Sequence, residues 1–174
     1  MTSATIWITG LPCAGKTTLA NALCEALRRR GAPVVVLDGD DVRRSLSVDL
    51  GFDEAARREN VRRCGAVAEL ITRSGVFAVV ALISPSAAAR DQVRALHAAR
   101  GHRFVEVYLS APLSVCEARD TKGLYARGRA GLARDVTGLD APFDAPAAAE
   151  LVIPAEESVG AAVARLMALL ALSG

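Results

Sequence analysis

The chain has 174 residues, a length that suits a single domain, residues 1–174, with a full hydrophobic core. Its formal net charge of +2 is too small to indicate binding to nucleic acid. No apolar run approaches the roughly 20 residues that cross a membrane, so we expect no membrane partner. The first residues contain no basic segment followed by an apolar one, so we expect no secretory signal.

The four cysteines bear on the compartment. They lie far apart and form no C-x-x-C pair: Cys13, Cys24, Cys64 and Cys116. This scatter argues against a zinc site and fits reduced thiols, so we expect a cytoplasmic protein. The two histidines, His97 and His102, form no recognisable ligand set, and we expect both at the surface.

The first predicted strand, residues 5–9, runs into a glycine-rich segment and then into a predicted helix over residues 16–30. The segment Gly10-Leu11-Pro12-Cys13-Ala14-Gly15-Lys16-Thr17 matches the phosphate-loop pattern G-x-x-x-x-G-K-[ST] in the strand, loop and helix context that it requires. The backbone N–H groups of such a loop and the positive end of the following helix bind phosphate oxygens. The alternative is an ordinary turn with a surface lysine.

We therefore expect a nucleoside triphosphate as the first ligand. Lys16 would neutralise its outer phosphates, and the Thr17 hydroxyl would bind Mg²⁺. Cys13 is either a small residue that fills the loop or a reactive thiol. The expected ATP contacts in this segment are Gly10, Ala14, Gly15, Lys16, Thr17 and Thr18.

Apolar runs alternate with helical patterns along the rest of the chain. The further predicted strands are residues 33–37, 76–82, 104–109 and 151–153, and the further predicted helices are residues 54–74, 87–100, 112–119 and 157–172. This alternation predicts an α/β fold of three layers, with a central parallel sheet covered on both faces. Ligands of such sheets bind beyond the carboxyl ends of the strands, so the residues that follow each strand are candidates.

Three carboxylates follow the second predicted strand, in the segment from Asp38 to Arg43. Carboxylates crowded at a strand end are costly unless a cation or a hydroxyl faces them. Asp38 or Asp40 could hold the water shell of the metal or accept a proton from an attacking hydroxyl, and Arg43 could bind an anion. Asp41 is the residue that we expect to cap a turn or helix.

Predicted helix 54–74 carries an apolar stripe that would pack on the sheet, formed by Val61, Cys64, Ala68 and Ile71. Arg57 and Asn60 lie on the same face, one turn nearer the N-terminus, where a crossover helix meets the ligand edge. Buried there, they would need a substrate as partner. The other arginines of this helix, which we expect in solvent, are Arg58, Arg62 and Arg63.

Two further segments supply candidates for a second ligand. Phe52, just before that helix, is either a hydrophobic staple or a stacking platform for a base. Ile83 and Ser84 follow the third strand, where the Ser84 hydroxyl or the backbone could meet a base or a phosphate.

Residues 120–137 are expected to form a mobile lid. Glycines and well-spaced cations occupy this segment, which follows the fourth strand and a short helix. Basic residues that close over phosphates would shield charge and exclude water. The alternative is an exposed basic loop.

Together these segments resemble the adenylylsulfate kinase family over nearly the whole chain. The matching motifs are Gly10 to Thr17, Asp38-Gly39-Asp40 with Arg43, Asp49-Leu50-Gly51-Phe52, Arg57 with Glu59-Asn60 and Arg62-Arg63, Ile83-Ser84-Pro85, Cys116 to Asp120, and Lys122 to Tyr125. The resemblance implies a P-loop NTPase fold and a homodimer. It implies transfer of the ATP γ-phosphate to the 3′-hydroxyl of adenosine 5′-phosphosulfate, which gives 3′-phosphoadenosine 5′-phosphosulfate for sulfate assimilation.

The resemblance also implies roles for individual residues. Lys16, Asp38 and Asp40 would be catalytic, with the two aspartates orienting the acceptor hydroxyl and Mg²⁺, and Arg119 would lie beside the ATP base. The residues implied to bind the acceptor nucleotide are Asp40, Arg43, Phe52, Arg57, Asn60, Ile83, Ser84, Lys122, Gly123 and Leu124. Phe52 would stack on the acceptor adenine.

The chain departs from the family pattern on the acceptor side. The usual Phe-Thr-Gly-Ile-Asp is Val136-Thr137-Gly138-Leu139-Asp140 here, which removes a stacking contact worth roughly 1–3 kcal/mol. Ser86-Ala87 replaces the usual aromatic or histidine with arginine, and Pro142-Phe143-Asp144 replaces Pro-Tyr-Glu. The alternative is therefore a kinase of this type that phosphorylates a different nucleotide or a small hydroxylated metabolite.

Two other functional classes fit less well. A GTPase would carry an Asn-Lys-x-Asp run that reads guanine, and the sequence has none. A catalytically inactive binding module is disfavoured by the presence of Lys16, Thr17, Asp38 and Asp40.

Overall fold

Five parallel strands form the central sheet of the computed structural model, which describes residues 2–171. The strands are β1 (Ala4–Thr9), β2 (Val34–Asp38), β3 (Phe77–Ala81), β4 (Arg103–Ser110) and β5 (Leu151–Pro154). Their spatial order is β2-β3-β1-β4-β5, and every neighbouring pair is parallel. The phosphate loop therefore leaves the sheet from its central strand, β1.

The helices of the described chain differ little from the predicted ones. They are α1 (Lys16–Arg29), α2 (Gly39–Arg44), α3 (Glu54–Arg73), α4 (Ala87–Ala99), α5 (Leu113–Ala118), α6 (Leu124–Arg129) and α7 (Val159–Ala171). The predicted helix end at Leu172 lies outside the described residues, as do Met1 and residues 173–174 of the predicted domain. Sequence periodicity missed α2 and α6 because six residues are too few to show it.

Helices cover both faces of the sheet, which confirms the three-layer α/β fold. On one face α1 and α7 pack against Ile6 and Ile8 of β1 in the larger core. On the other face α3 and α4 pack around Trp7 and Val80 in a second core. Successive side chains of β1 thus pack into the cores on opposite faces of the sheet, as the two-residue repeat of a strand requires. No helix within residues 2–171 is both long enough and apolar enough to span a membrane.

The predicted stripe on α3 faces the sheet. Val61, Cys64 and Ala68 are buried, and Ile71 is partly buried against the same core. Arg63, which we expected in solvent, is instead half-buried. Its guanidinium binds both oxygens of Asp49, at 2.6 and 2.8 Å, and so ties the loop before α3 to the helix.

The prediction that His97 lies at the surface is wrong. The ring is fully buried between its own helix, α4, and strand β1, and its nitrogens lie 2.8 Å from the Thr5 hydroxyl and 2.8 Å from the Val93 carbonyl oxygen. Burial lowers the pKa of His97, which keeps the ring neutral in this network. Among residues 2–171 no cluster of three or more histidine, cysteine, aspartate or glutamate side chains could hold a metal ion.

The contact between α3 and α4 depends on Gly65, which lies against Val93. A larger residue at this position should therefore destabilise the fold. A Cβ at Gly65 would lie 2.5 Å from Cγ2 and 3.2 Å from Cβ of Val93, a β-branched residue with little rotamer freedom. We expect Gly65→Ala to lower the free energy of unfolding by about 1–3 kcal/mol, measured by urea denaturation. The matched control is Gly160→Ala in α7, where a Cβ meets nothing within 4 Å. Equal effects of the two substitutions would contradict this packing.

Candidate functional site

A cavity of about 670 Å³ opens at the carboxyl edge of the sheet. Residues of the phosphate loop and of the segments that follow β2, β3, β4 and β5 line it, which is where ligands of parallel sheets bind. The predicted site residues that line the cavity are Ala14, Gly15, Lys16, Thr17, Thr18, Asp38, Asp40, Arg43, Phe52, Arg57, Asn60, Ile83, Ser84, Arg119, Lys122 and Leu124.

Two expected contact residues, Gly10 and Gly123, are not among the described residues that line this cavity. Gly10 has a φ of 148°, and a Cβ there would lie 2.8 Å from the carbonyl oxygen of Leu109. Gly123 has a φ of 66° and immediately precedes α6. Both residues therefore shape the backbone around the cavity, where only glycine fits without strain.

The phosphate loop already holds its lysine in place. The Lys16 ammonium donates hydrogen bonds to the carbonyl oxygens of Gly10, at 3.0 Å, and of Leu11, at 2.7 Å. Burial lowers the pKa of Lys16 to about 8, because removing water around the ammonium disfavours its charged form. The neighbouring Cys13 thiol contacts Asp120, and burial raises its pKa, which disfavours the reactive-thiol alternative.

The lowered pKa of Lys16 predicts how nucleotide binding depends on pH. A bound triphosphate would raise that pKa through its negative charge, so binding above pH 8 must take up a proton. We expect the Kd for ATP to be flat below about pH 7 and to rise by up to about tenfold per pH unit above pH 8.

Calorimetric titration at pH 7 and pH 9, in buffers of different ionisation enthalpy, measures both the Kd and the proton uptake. Lys16→Arg is the matched control because arginine stays charged throughout this range, and its Kd should not follow the same rise. Equal ATP affinities of the unmodified protein at pH 7 and pH 9 would contradict the assignment.

Asp38 joins the phosphate loop to the end of β2. Its Oδ2 accepts a hydrogen bond of 2.6 Å from the Thr17 hydroxyl, and its Oδ1 accepts one of 3.0 Å from the backbone N–H of Asp40. Asp38 is therefore the N-cap of α2, whereas Asp41, for which we expected this role, pairs with Arg44 on the surface. The prediction failed because β2 extends to Asp38 and a helix begins directly after it.

Asp40 connects the strand end to the segment predicted to be a lid. Its Oδ2 accepts a hydrogen bond of 2.5 Å from Lys122, and both side chains are largely exposed. This hydrogen bond and the carboxylate charge raise the pKa of Lys122. Lys122 therefore stays protonated beside the carboxylate.

Phe52 forms an aromatic platform with two arginines. The guanidinium carbons of Arg43 and Arg57 lie 4.8 and 5.9 Å from the ring centroid. The ring occupies the hydrophobic-staple position before the N-cap Asp53, but the residue at the matching position of the helix is Arg57, which is not apolar. It is 61% exposed, which leaves surface on which a base can stack.

Arg57 and Asn60 point toward the cavity from the first turns of α3. Arg57 donates to the carbonyl oxygens of Phe52, at 2.7 Å, and Asp135, at 2.6 Å, so it already has partners without a substrate. The side chain of Asn60 is buried, and its Oδ1 has no hydrogen-bond partner within the described residues. Of these two side chains, therefore, Asn60 is the one that needs a donor from a ligand.

The Ser84 hydroxyl is not free to bind a ligand. It accepts a hydrogen bond from the Trp7 indole at 3.0 Å and donates one to the Thr9 hydroxyl at 3.0 Å. These contacts hold Ser84 at a φ of 40°, a strained value for a residue with a side chain. Because the hydroxyl proton is engaged within the protein, the hydroxyl alternative is disfavoured, and the backbone near Ile83 and Ser84 stays the predicted contact for a base.

Arg90 of α4 holds the segment that follows β3, which contains Ser84. The buried guanidinium pairs with Glu106 at 2.7 Å and donates to the carbonyl oxygens of Ser84 and Asp144, both at 2.7 Å. The ring of Phe143 lies 5.8 Å from that guanidinium and stacks on Tyr108. The departures from the family pattern at residues 142–144 are thus absorbed by contacts within the protein.

The predicted lid, residues 120–137, contains α6 and packs on the phosphate loop. Tyr125 is buried and donates a hydrogen bond of 3.0 Å to the carbonyl oxygen of Pro12. Val136 is buried beside Gly128 and Leu139 and is not among the described residues that line the cavity. The side chain at position 136 thus fills the protein interior, and movement of the lid stays a prediction.

The segment after β5 lines the cavity and was missed by the sequence reasoning. The cavity residues here are Pro154, the last residue of β5, and Ala155 and Glu157 after it. The Ala155 carbonyl oxygen accepts a hydrogen bond of 2.9 Å from Arg119. The rule that residues following a strand meet the ligand applies to β5 as well as to β1 and β2. Applied to residues 154–157, it would have found them.

Comparisons with known proteins point to one family. The sequence matches the family model described as adenylylsulphate kinase over residues 2–154. An adenylyl-sulfate kinase of Synechococcus sp. (strain JA-3-3Ab) is 49% identical over 164 residues, which cover 94% of this chain and 91% of the relative. One of Escherichia coli (strain K12 / DH10B) is 47% identical over 165 residues, which cover 95% of this chain and 81% of the relative.

A solved structure shows the same likeness in three dimensions. The APS kinase of Mycobacterium tuberculosis, in complex with AMPPNP and APS, superposes with a TM-score of 0.94 and is 40% identical. The superposition covers 97% of each chain. The protein of that structure binds an ATP analogue and APS together.

Proposed function

Because the chain belongs to the adenylylsulphate kinase family, we propose that it transfers the γ-phosphate of ATP to the 3′-hydroxyl of adenosine 5′-phosphosulfate. The products are ADP and 3′-phosphoadenosine 5′-phosphosulfate. The chain thus acts as one kinase domain, with residues 120–137 as its lid. The identity to adenylyl-sulfate kinases favours this acceptor over a different nucleotide or a small hydroxylated metabolite.

One observation carries the proposal: a single cavity is lined both by the phosphate loop and by an aromatic and arginine cluster. Lys16 and Thr17 lie at the centre of the sheet edge, and the platform of Phe52, Arg43 and Arg57 lies on the side of β2 and β3. Arginines and an aromatic ring suit an anionic nucleotide. Two nucleotides can therefore meet with their reacting groups near Lys16.

The transfer makes one bond and breaks one. The 3′-oxygen of the acceptor attacks the γ-phosphorus, the bond from that phosphorus to the oxygen bridging to the β-phosphate breaks, and ADP leaves. The hydroxyl proton passes to a carboxylate and then to water. Both oxygens of Asp38 already accept hydrogen bonds, so Asp40 is the better proton acceptor.

The residues at the phosphate loop fit Mg²⁺. The Thr17 hydroxyl and the Asp38 carboxylate lie within 2.6 Å of each other, and Mg²⁺ prefers oxygen ligands of this kind together with phosphates. Thr17 and Asp38 would hold the ion directly or through its waters. When bound, Mg²⁺ neutralises charge on the β- and γ-phosphates.

Lid residues would protect the reaction from water. Lys122 already contacts Asp40, and Tyr125 anchors α6 on the phosphate loop. A closed lid favours transfer to the acceptor over hydrolysis. The same lid brings Leu124 and Lys122 against the bound acceptor.

The proposal extends to assembly and compartment. We propose a homodimer, as the resemblance to the family implies, and sedimentation equilibrium measures the oligomeric state. A cytoplasmic location is supported by the four cysteines, all of which are free thiols.

The direct test is ADP formation from ATP across a panel of acceptors. With adenosine 5′-phosphosulfate we expect turnover that saturates and that stops when Mg²⁺ is removed with a chelator. Adenosine 5′-monophosphate, which lacks the sulfate, is the matched control and should be a poor acceptor. Turnover with adenosine 5′-phosphosulfate no faster than with water alone would overturn the proposed function.

A further inference from the structure

We infer, on the basis of the proposed use of ATP as donor, that Glu157 reads the donor base by accepting a hydrogen bond from its 6-amino group. Glu157 lies in the segment between β5 and α7 and lines the cavity. It would make the site selective for a 6-aminopurine.

The position of Glu157 fits the base end of the donor. β5 is the edge strand on the far side of β4 from the phosphate loop, whereas the segments implied to bind the acceptor follow β2 and β3. The donor base must therefore extend from Lys16 toward β4 and β5. Arg119, which donates to the Ala155 carbonyl oxygen at 2.9 Å, lies at the same end.

Within residues 2–171, only one of the two oxygens of the Glu157 carboxylate has a hydrogen-bond partner. Its Oε2 accepts a hydrogen bond of 2.6 Å from Arg165 of α7, and its backbone N–H donates to the carbonyl oxygen of Pro154 at 3.1 Å. The side chain is 13% exposed, and its Oε1 is buried with no partner in the part of the chain that the structure describes. A buried carboxylate oxygen without a donor is costly, so a ligand that donates there gains affinity.

The chemistry of the free oxygen limits the ligand group. A negative carboxylate repels phosphates and the 6-oxo group of guanine or hypoxanthine, but accepts from the 6-amino group of adenine. A carboxylate that reads guanine would use both of its oxygens for N1–H and the 2-amino group. Arg165 occupies one oxygen here, so a single donor fits.

Nucleotide affinities measured by calorimetry without any acceptor test this assignment. We expect Glu157→Ala to weaken ATP binding by roughly 10- to 100-fold, and to leave almost unchanged the affinity for purine riboside 5′-triphosphate, which lacks the amino group. Glu156→Ala, at an exposed neighbour, is the matched control and should change neither. Equal losses for both nucleotides, or no loss for either, would overturn the inference.

Glu157→Gln gives a second test, in which the affinities for ATP and for inosine 5′-triphosphate should change in opposite directions. Arg165 can donate only to the amide oxygen, so the amide NH₂ group would take the place of Oε1. This variant should bind ATP more weakly and inosine 5′-triphosphate, with its 6-oxo group, more tightly than the unmodified protein does. An unchanged ratio of the two affinities would overturn the inference. Because no acceptor is present, a wrong acceptor assignment does not affect these results.

Discussion

Replacing Asp40 by alanine is expected to reduce kcat for transfer to adenosine 5′-phosphosulfate by about 10²- to 10⁴-fold, which is the range for loss of a general base. ATP affinity should not change, because Asp40 contacts Lys122 and not the phosphate loop. The lost ion pair with Lys122 is exposed and contributes at most about 1 kcal/mol to stability. Steady-state kinetics and calorimetry measure the two effects separately.

The control for Asp40 is its neighbour. Asp41 pairs with Arg44 on the surface of α2, and it is not one of the described residues that line the cavity. Asp41→Ala should therefore keep the activity of the unmodified protein. Asp38→Ala should differ from both, since it removes the N-cap of α2 and the partner of Thr17, and thus lowers both stability and activity. Normal kcat in Asp40→Ala would contradict the role of Asp40.

Lys16→Ala is expected to reduce kcat/KM for ATP by about 10³-fold. The ammonium is held at the phosphate site by two backbone carbonyl oxygens and contributes to binding of ATP as well as to the transition state. The substitution should therefore raise KM and lower kcat together, unlike Asp40→Ala. Initial rates over a range of ATP concentrations distinguish the two patterns.

The control for Lys16 is an exposed cation at the other end of the same helix. Arg29 pairs loosely with Glu25 in solvent at 3.5 Å, so Arg29→Ala should change neither KM nor kcat. Circular dichroism of Lys16→Ala checks that the loss does not come from unfolding. A folded Lys16→Ala variant with normal kinetics would contradict the phosphate-loop assignment.

The site residues that could be predicted from the sequence are those whose positions depend on a continuous motif or on the spacing of residues within one helix. The phosphate loop is one continuous motif, and Lys16 and Thr17 lie in the cavity because the loop alone sets their position. Arg57 and Asn60 were found because helical spacing and the direction of a crossover helix together fix which end meets the ligand.

Other positions depend on contacts between distant segments. The Ser84 hydroxyl is engaged by Trp7 and Thr9 because β1 and β3 are neighbours, and His97 is buried because Thr5 offers it a partner on β1. Neither pairing is visible in the residues that surround Ser84 or His97 in sequence. Glu157 was missed because a glutamate between a strand and a helix resembles any polar turn. Only the folded structure shows that Glu157 lines the cavity and that its Oε1 has no partner within residues 2–171.

The central claim is that two nucleotides react within one cavity across the phosphate loop. A single-turnover reaction with excess protein, ATP labelled in the γ-phosphate and adenosine 5′-phosphosulfate tests it most directly, with the label located by chromatography. We predict that the label appears as a 3′-phosphate on the acceptor, and that the 3′-deoxy analogue receives none. Label recovered only as inorganic phosphate, at the same rate with and without adenosine 5′-phosphosulfate, would contradict the account.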